Sequence, residues 1–207
     1  MILQALYELA EYEGLVQDPD FEFKPIAWLV HIGKGGKFLG IQGTHYTPPA
    51  EDKKKPRPTP KSFAVPREGG RTSGDRAFLL NDKAEYSFGM DPEKDENKKR
   101  SPEKLAIRFG LFRERIKQCL EATQDEGIQA VYSFLESVAA SQQSVQLPED
   151  CVGNDLFGFV YSPDGNTLVS QREKVRAYWE AQRSTSADTT KTVQCLVSGQ
   201  QSIPADL

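Results

Sequence analysis

Between positions 47 and 60 the chain carries five prolines, Pro48, Pro49, Pro56, Pro58 and Pro60. That density excludes an α-helix, because proline has no amide to donate and its ring clashes with the preceding turn; the backbone there is extended, with unpaired amides. A basic run is threaded through the same stretch. Lys53 to Arg76 reads KKKPRPTPKSFAVPREGGRTSGDR, eight Lys or Arg against two acids, in a chain whose formal net charge is −4. A basic segment in an acidic protein marks a local anion site rather than a generally sticky surface, and the phosphate backbone of a nucleic acid is the large anion it suits. The expected phosphate contacts are Lys53, Lys54, Lys55, Arg57 and Lys61, with Arg67 further along the run. The same residues can also be read as a solvated, proline-broken loop.

Length and composition narrow the remaining classes. The chain has 207 residues, enough for one or two domains with a true core. Hydrophobic residues make up 38% and charged residues 27%, a mixture that suits a soluble globular protein rather than a disordered one. No apolar run approaches a membrane-spanning length. The opening MILQALYELAEYEG lacks the basic start and small-residue cleavage site of a signal peptide. Cys119, Cys151 and Cys195 are odd in number and lack Cys-x-x-Cys spacing. They read as reduced thiols of a cytoplasmic protein.

Periodicity predicts an α+β fold: a small, mainly antiparallel sheet, a helical hairpin, and a C-terminal strand–helix–strand unit. Ile2, Leu3, Leu6, Leu9 and Ala10 form an apolar stripe on a first helix reaching about Glu13. Pro25 to Ile32 reads as a strand buried on both faces, and Lys37 to Gln42 returns beside it after a glycine turn. Lys61 to Val65, Ala77 to Leu80 and Tyr86 to Gly89 read as further strands. Ser101-Pro102 opens a helix with Leu105, Phe109, Phe112, Ile116 and Leu120 on one face, and Asp125 caps a second. Leu156–Tyr161 and Thr167–Val169 flank an Asp-Gly hairpin apex. Ser170 to Glu173 has capping-box spacing before a helix to about Arg183, and Val193 to Gly199 reads as a last strand. The charge-mixed 91–100 stretch marks a sub-boundary, and the ending without a closing element reads as the N-terminal region of a longer protein.

Enzymatic chemistry finds no foothold in the pattern. His31 and His45 have no ligand spacing around them, so no metal and no cofactor are expected. There is no Gly-x-Ser-x-Gly and no Cys–His pairing, and the carboxylates of 8–22 single out no acid/base pair. Gly69 to Gly74 lacks the Gly-Lys-Ser/Thr ending of a nucleotide loop. Its glycine amides, Thr72 and Ser73 hydroxyls and the Arg71 fork can nevertheless hold one phosphate, or simply form a turn in which Arg71 pairs with Asp75. Phe63, Phe78, Tyr86 and Phe88 can serve as stacking platforms or as core.

The order of segments carries a resemblance. MILQALYELAE, PIAWLVHI, the basic run continuing through GGRTSGDRAFLLNDKAEYSFG, the helical hairpin and a final CLVSG together resemble the large subunit of the type I-C CRISPR surveillance complex, Cascade. The resemblance implies a cytoplasmic, non-catalytic antiviral-defence subunit. Its expected partners are crRNA, the other Cascade subunits, double-stranded target DNA and a helicase-nuclease effector. The implied task is to inspect the duplex for the protospacer-adjacent motif and to start its opening, while guide pairing reads the rest. Gly70, Arg71, Thr72, Ser73 and Gly74 are then expected nearest that motif, Arg71 first among them, with Asn81 and Lys83 beside them. A different role stays open: an assembly module that grips crRNA or partner subunits and never reads target DNA.

Overall fold

In a computed structural model of the chain, the described residues are 18–48, 57–71, 74–186, 193–194 and 201–202, with the single helical positions 2, 5, 6, 9 and 12. Lys53, Lys54, Lys55, Thr72 and Ser73 lie outside them. The architecture is α+β. Its strands are β1 (Phe21–Pro25), β2 (Trp28–Ile32), β3 (Phe38–Gly43), β4 (Ser62–Pro66), β5 (Asn81–Lys83), β6 (Leu156–Tyr161), β7 (Val193–Gln194) and β8 (Gln201–Ser202). Its helices are α1 (Ala84–Ser87), α2 (Pro102–Thr123), α3 (Glu126–Ala139) and α4 (Glu173–Ser186). Four strands form the main sheet in the order β3-β2-β6-β5, while β1 pairs with β4 and β7 with β8. β2 and β6 run parallel; every other pairing of described strands is antiparallel.

The central pair is apolar on both faces, as a strand covered on two sides must be. Trp28, Val30 and Ile32 of β2, with Phe157 and Phe159 of β6, join the larger core, whereas Leu29 and Val160 join a smaller cluster with Ile26, Val65 and Leu168. The helical hairpin covers the first face. Phe112 of α2 stacks on Phe159 at 5.8 Å between centroids, and Phe134 of α3 stacks on Phe38 at 5.5 Å. Phe112, Phe134, Phe157 and Phe159 are at most 1% exposed, and full burial of such a side chain contributes about 1.5–3 kcal/mol. One cluster takes residues from both sides of 91–100, among them Phe88 and Phe112.

The hairpin ends are set locally. The Ser101 hydroxyl accepts from the Lys104 amide at 3.3 Å with Pro102 behind it, and Gln124 ends α2 in the left-handed region. Asp125 then accepts from the amides of Gly127 and Ile128. The turn before β3 depends on a glycine: at Gly36 φ is +80°, and a Cβ would lie 2.6 Å from the Phe134 amide nitrogen.

Several boundaries differ from the expectation. The strand read from Pro25 to Ile32 breaks at Ile26-Ala27, so Pro25 ends β1 in one sheet and Trp28–Ile32 forms β2 in another. Ala77–Leu80 is irregular; the strand is Asn81–Lys83, and Tyr86 falls in the short helix α1 rather than a strand. Leu80 has φ +62°, which no regular strand accommodates. The expected hairpin after β6 is reduced to one bridge, Val160 to Leu168, because Ser162–Asp164 and Val169–Gln171 both wind into 3-10 turns. Ser170 is buried in the second of these, and the Arg172 carbonyl accepts the first helical bond of α4, from Arg176. The last strand is described only as Val193–Gln194, paired with Gln201–Ser202.

Candidate nucleic-acid interface

The irregular segment between β4 and β5 is stapled from beneath by two buried carboxylates. Glu68 and Asp82 have side chains only 1% and 0% exposed. Buried carboxylates are costly unless hydrogen-bonded and paired, and each has both compensations. Glu68 accepts from the Leu79 amide and from Nη2 of Arg115 at 2.9 Å. Asp82 accepts from the Phe78 amide at 2.8 Å and from Nη2 of Arg71. Burial raises both carboxyl groups above their ordinary values, against the opposing pull of Arg115 on Glu68 and Arg71 on Asp82. The staples flank Leu80 and hold its left-handed backbone. Such strain costs about 1–3 kcal/mol and persists only where the surroundings over-determine it.

Arg71 is the centre of this arrangement. Its guanidinium lies between two rings, 3.9 Å from the centroid of Phe78 and 4.0 Å from that of Tyr86. Its Nε donates to the Arg76 carbonyl at 2.6 Å. The alternative pairing of Arg71 with Asp75 is not made among the described residues. Asp75 instead accepts from Nε of Arg108 at 2.8 Å and from the Tyr86 hydroxyl at 3.3 Å, and the Arg108 hydrogen bond holds its carboxyl below the ordinary value. Arg108 also bonds Glu85, so α2 braces the loop through one guanidinium. Gly69, Gly70 and Gly74 stand open, with no atom of the described residues within 4 Å of an added Cβ.

The other expected contacts separate by exposure. Arg57 and Lys61 are exposed and make no ion pair among the described residues. Their backbone is ordered by residues 44–46: Thr59 and Tyr46 exchange two amide bonds, and the Lys61 amide donates to the Thr44 hydroxyl at 3.2 Å. Arg67 is turned inward, donating to the Phe21 carbonyl at 3.2 Å, and its Nε is buried without a partner. Asn81 must be corrected as a surface contact: it is 1% exposed, with both side-chain polar atoms buried and unpartnered. Lys83 does reach the surface, where its Nζ donates to Oδ1 of Asn154 at 2.8 Å.

Lys83 and Arg71 line one polar cleft of about 480 Å³, together with Arg100 and Arg108 of the helical side and the 152–154 turn. Arg100, Arg108 and Asn154 are not legible as site residues in the sequence. Arg108 sits in an ordinary helical repeat, and nothing in the sequence ties residue 154 to residue 83. No group of three or more metal-ligating side chains occurs among the described residues, and no described helix is long and apolar enough to cross a membrane. Both cysteine thiols described, Cys119 and Cys151, are pushed by burial up to about 12, which makes them poor nucleophiles.

The chain matches the family described as CRISPR-associated protein Cas_Csd1 over residues 3–207. No curated protein matches it. The chain therefore belongs to the Csd1 family of CRISPR-associated proteins, and is a Cascade large-subunit-like CRISPR protein.

Proposed function

We propose that this chain is the non-catalytic part of a type I-C Cascade large subunit that inspects double-stranded DNA for the protospacer-adjacent motif and helps begin duplex opening. The carrying observation is the separation of two kinds of surface. Exposed Arg57 and Lys61, with no ion pair among the described residues, lie at one end of β4. The carboxylate-stapled glycine loop lies at the other. The six residue-to-residue steps of extended chain from Lys61 to Arg67 span about 20 Å at the rise of a strand, room for several phosphates along a duplex. Cations without ion-pair partners among the described residues supply sequence-independent affinity, and a loop with open glycine backbone suits close approach to a groove. The guide RNA, the other complex subunits and a helicase-nuclease effector are the partners this role requires, and the protein itself cleaves nothing.

The test is binding of the assembled, crRNA-loaded complex to duplexes that differ only in the flanking motif, drawn from a randomised flank library. Selection of a short flanking consensus supports the reading. Equal retention of all flanks, with crRNA binding intact, overturns it.

One observation favours a second reading as an assembly module. Ile2, Leu6, Leu9 and Tyr12 are helical yet 54–86% exposed, and a stripe of that kind suits burial against another subunit. Loss of complex assembly on Leu6→Asp, with motif selection unaffected by any loop substitution, would favour it.

A further inference from the structure

Among the cations of the polar cleft, Lys83 has a distinctive electrostatic position. Arg71 is committed to Asp82, Arg108 to Asp75 and Glu85, and Arg100 to Glu85 at 3.5 Å. Lys98 pairs with Asp95 at 3.2 Å. Among the described residues, Lys83 makes no ion pair and its ammonium donates to the neutral carboxamide of Asn154. The cleft holds five cations (Arg71, Lys83, Lys98, Arg100, Arg108) against three carboxylates (Glu85, Asp91, Glu93). Of those carboxylates, Glu85 lies between two arginines, while Asp91 and Glu93 accept backbone amides of the 93–100 turn. The acid adjacent to Lys83 in sequence, Asp82, is fully buried and bonded to Arg71, so it does not neutralise the lysine at the surface.

Geometry adds a second donor. Because Oδ1 of Asn154 accepts from Lys83, its Nδ2 is the free end of the amide, and it makes no hydrogen bond among the described residues. Gly153 beside it has no atom within 4 Å of an added Cβ, so the turn can be approached closely. Lysine is a strong point-charge ligand for phosphate, and an amide N–H at its side supplies a directional donor.

We propose that the Lys83–Asn154 clasp is a seat for a single phosphate group, and that the phosphate it takes is one of a nucleic-acid backbone. On binding, the Lys83 ammonium moves from the Asn154 carbonyl oxygen to a phosphate oxygen, and the Asn154 amide donates to another. The seat lies in the cleft that Arg71, Tyr86 and the 152–154 turn line together. It deepens the duplex-inspection reading and rests on it for the source of the phosphate, since the chemistry alone suits a free phosphate as well.

The test uses the full chain and three titrants: a short duplex, inorganic phosphate and a nucleoside monophosphate. The readouts are the Asn154 side-chain amide resonance and the salt dependence of duplex affinity. The expected result is a shift of the Asn154 resonance with duplex at concentrations where the small titrants leave it unmoved. Lys83→Ala should lower the slope of log affinity against log salt by about one unit, and Lys83→Arg should restore it. Lys61→Ala should lower the slope without removing the Asn154 shift. If the chain binds duplex but Lys83→Ala leaves slope and resonance unchanged, the seat is wrong and the duplex reading survives. If no duplex binds but the nucleoside monophosphate moves the Asn154 resonance in a Lys83-dependent way, the seat stands and the backbone source fails. If no titrant moves the resonance, the seat is overturned outright.

Discussion

Arg71 and Asp82 form an ion pair in which the Asp82 side chain is fully buried and the Arg71 side chain is 19% exposed. The pair joins the glycine loop to the first residues after Leu80, and the guanidinium lies over the rings of Phe78 and Tyr86.

Removing the arginine leaves a buried carboxylate without its cation, which costs about 3–5 kcal/mol. Arg71→Ala should therefore lower the denaturation midpoint strongly. Arg71→Lys should recover little, because lysine lacks the planar fork that bridges Asp82 and the Arg76 carbonyl and the flat face that stacks between rings. Urea denaturation checks both variants; a loss under about 1 kcal/mol for Arg71→Ala would show that the pair does not hold the loop.

Glu68 and Asp82 have carboxyl groups raised above their ordinary values of 4.5 and 3.8. The folded state then holds these protons more tightly than the unfolded state, so these two groups favour folding more as pH falls from neutrality through their raised range. Asp75 acts in the opposite sense: its group is lowered below 3.8, and its contribution is lost as pH falls through that depressed value. The contribution of Glu68 and Asp82 should consequently rise as pH falls from neutrality, and Glu68→Gln should flatten that rise. Denaturant midpoints measured across pH 3 to 8 test this; a rise on acidification from neutrality that Glu68→Gln leaves at full size would contradict it.

Two adjacent glycines should respond differently to alanine. Gly35 has φ +68° and open space around an added Cβ, so Gly35→Ala should cost only the left-handed backbone penalty, about 1 kcal/mol. Gly36→Ala adds a clash with the backbone of α3 at Phe134 and Ser133, and should cost at least about 2 kcal/mol in all. Paired thermal melts give the comparison, and equal losses would mean that the turn and α3 separate at little cost.

Arg57 and Lys61 should act on DNA as charge alone. Arg57→Ala and Lys61→Ala are each expected to lower the salt slope of duplex binding by about one unit while weakening all flanking sequences alike. Filter binding at several salt concentrations measures this. Sequence-dependent loss at either position would move base readout away from the glycine loop.

The helical hairpin is legible in the sequence because its determinants are local. Ser101, Pro102 and Asp125 cap neighbours within three residues, and Phe112 and Ile116 mark a face by spacing alone. The β2–β3 hairpin is legible for the same reason, through its glycine turn. The basic run is also plain in composition, and Arg57 and Lys61 keep the exposure that composition suggests. The chemistry of Arg71 is not. Its partner, eleven residues away, is set by which carboxylate the fold buries, and an Asp at 75 and an Asp at 82 look alike in a sequence. Asn81 and Lys83 likewise stand two apart in the same short strand, yet the fold seals the first in the core and turns the second toward a cleft. Asn154 meets Lys83 only because β5 pairs with β6, bringing Lys83 opposite Leu156. Caps, turns and periodicity are short-range and survive in one dimension; burial and charge pairing depend on distant segments, and only the tertiary structure decides them.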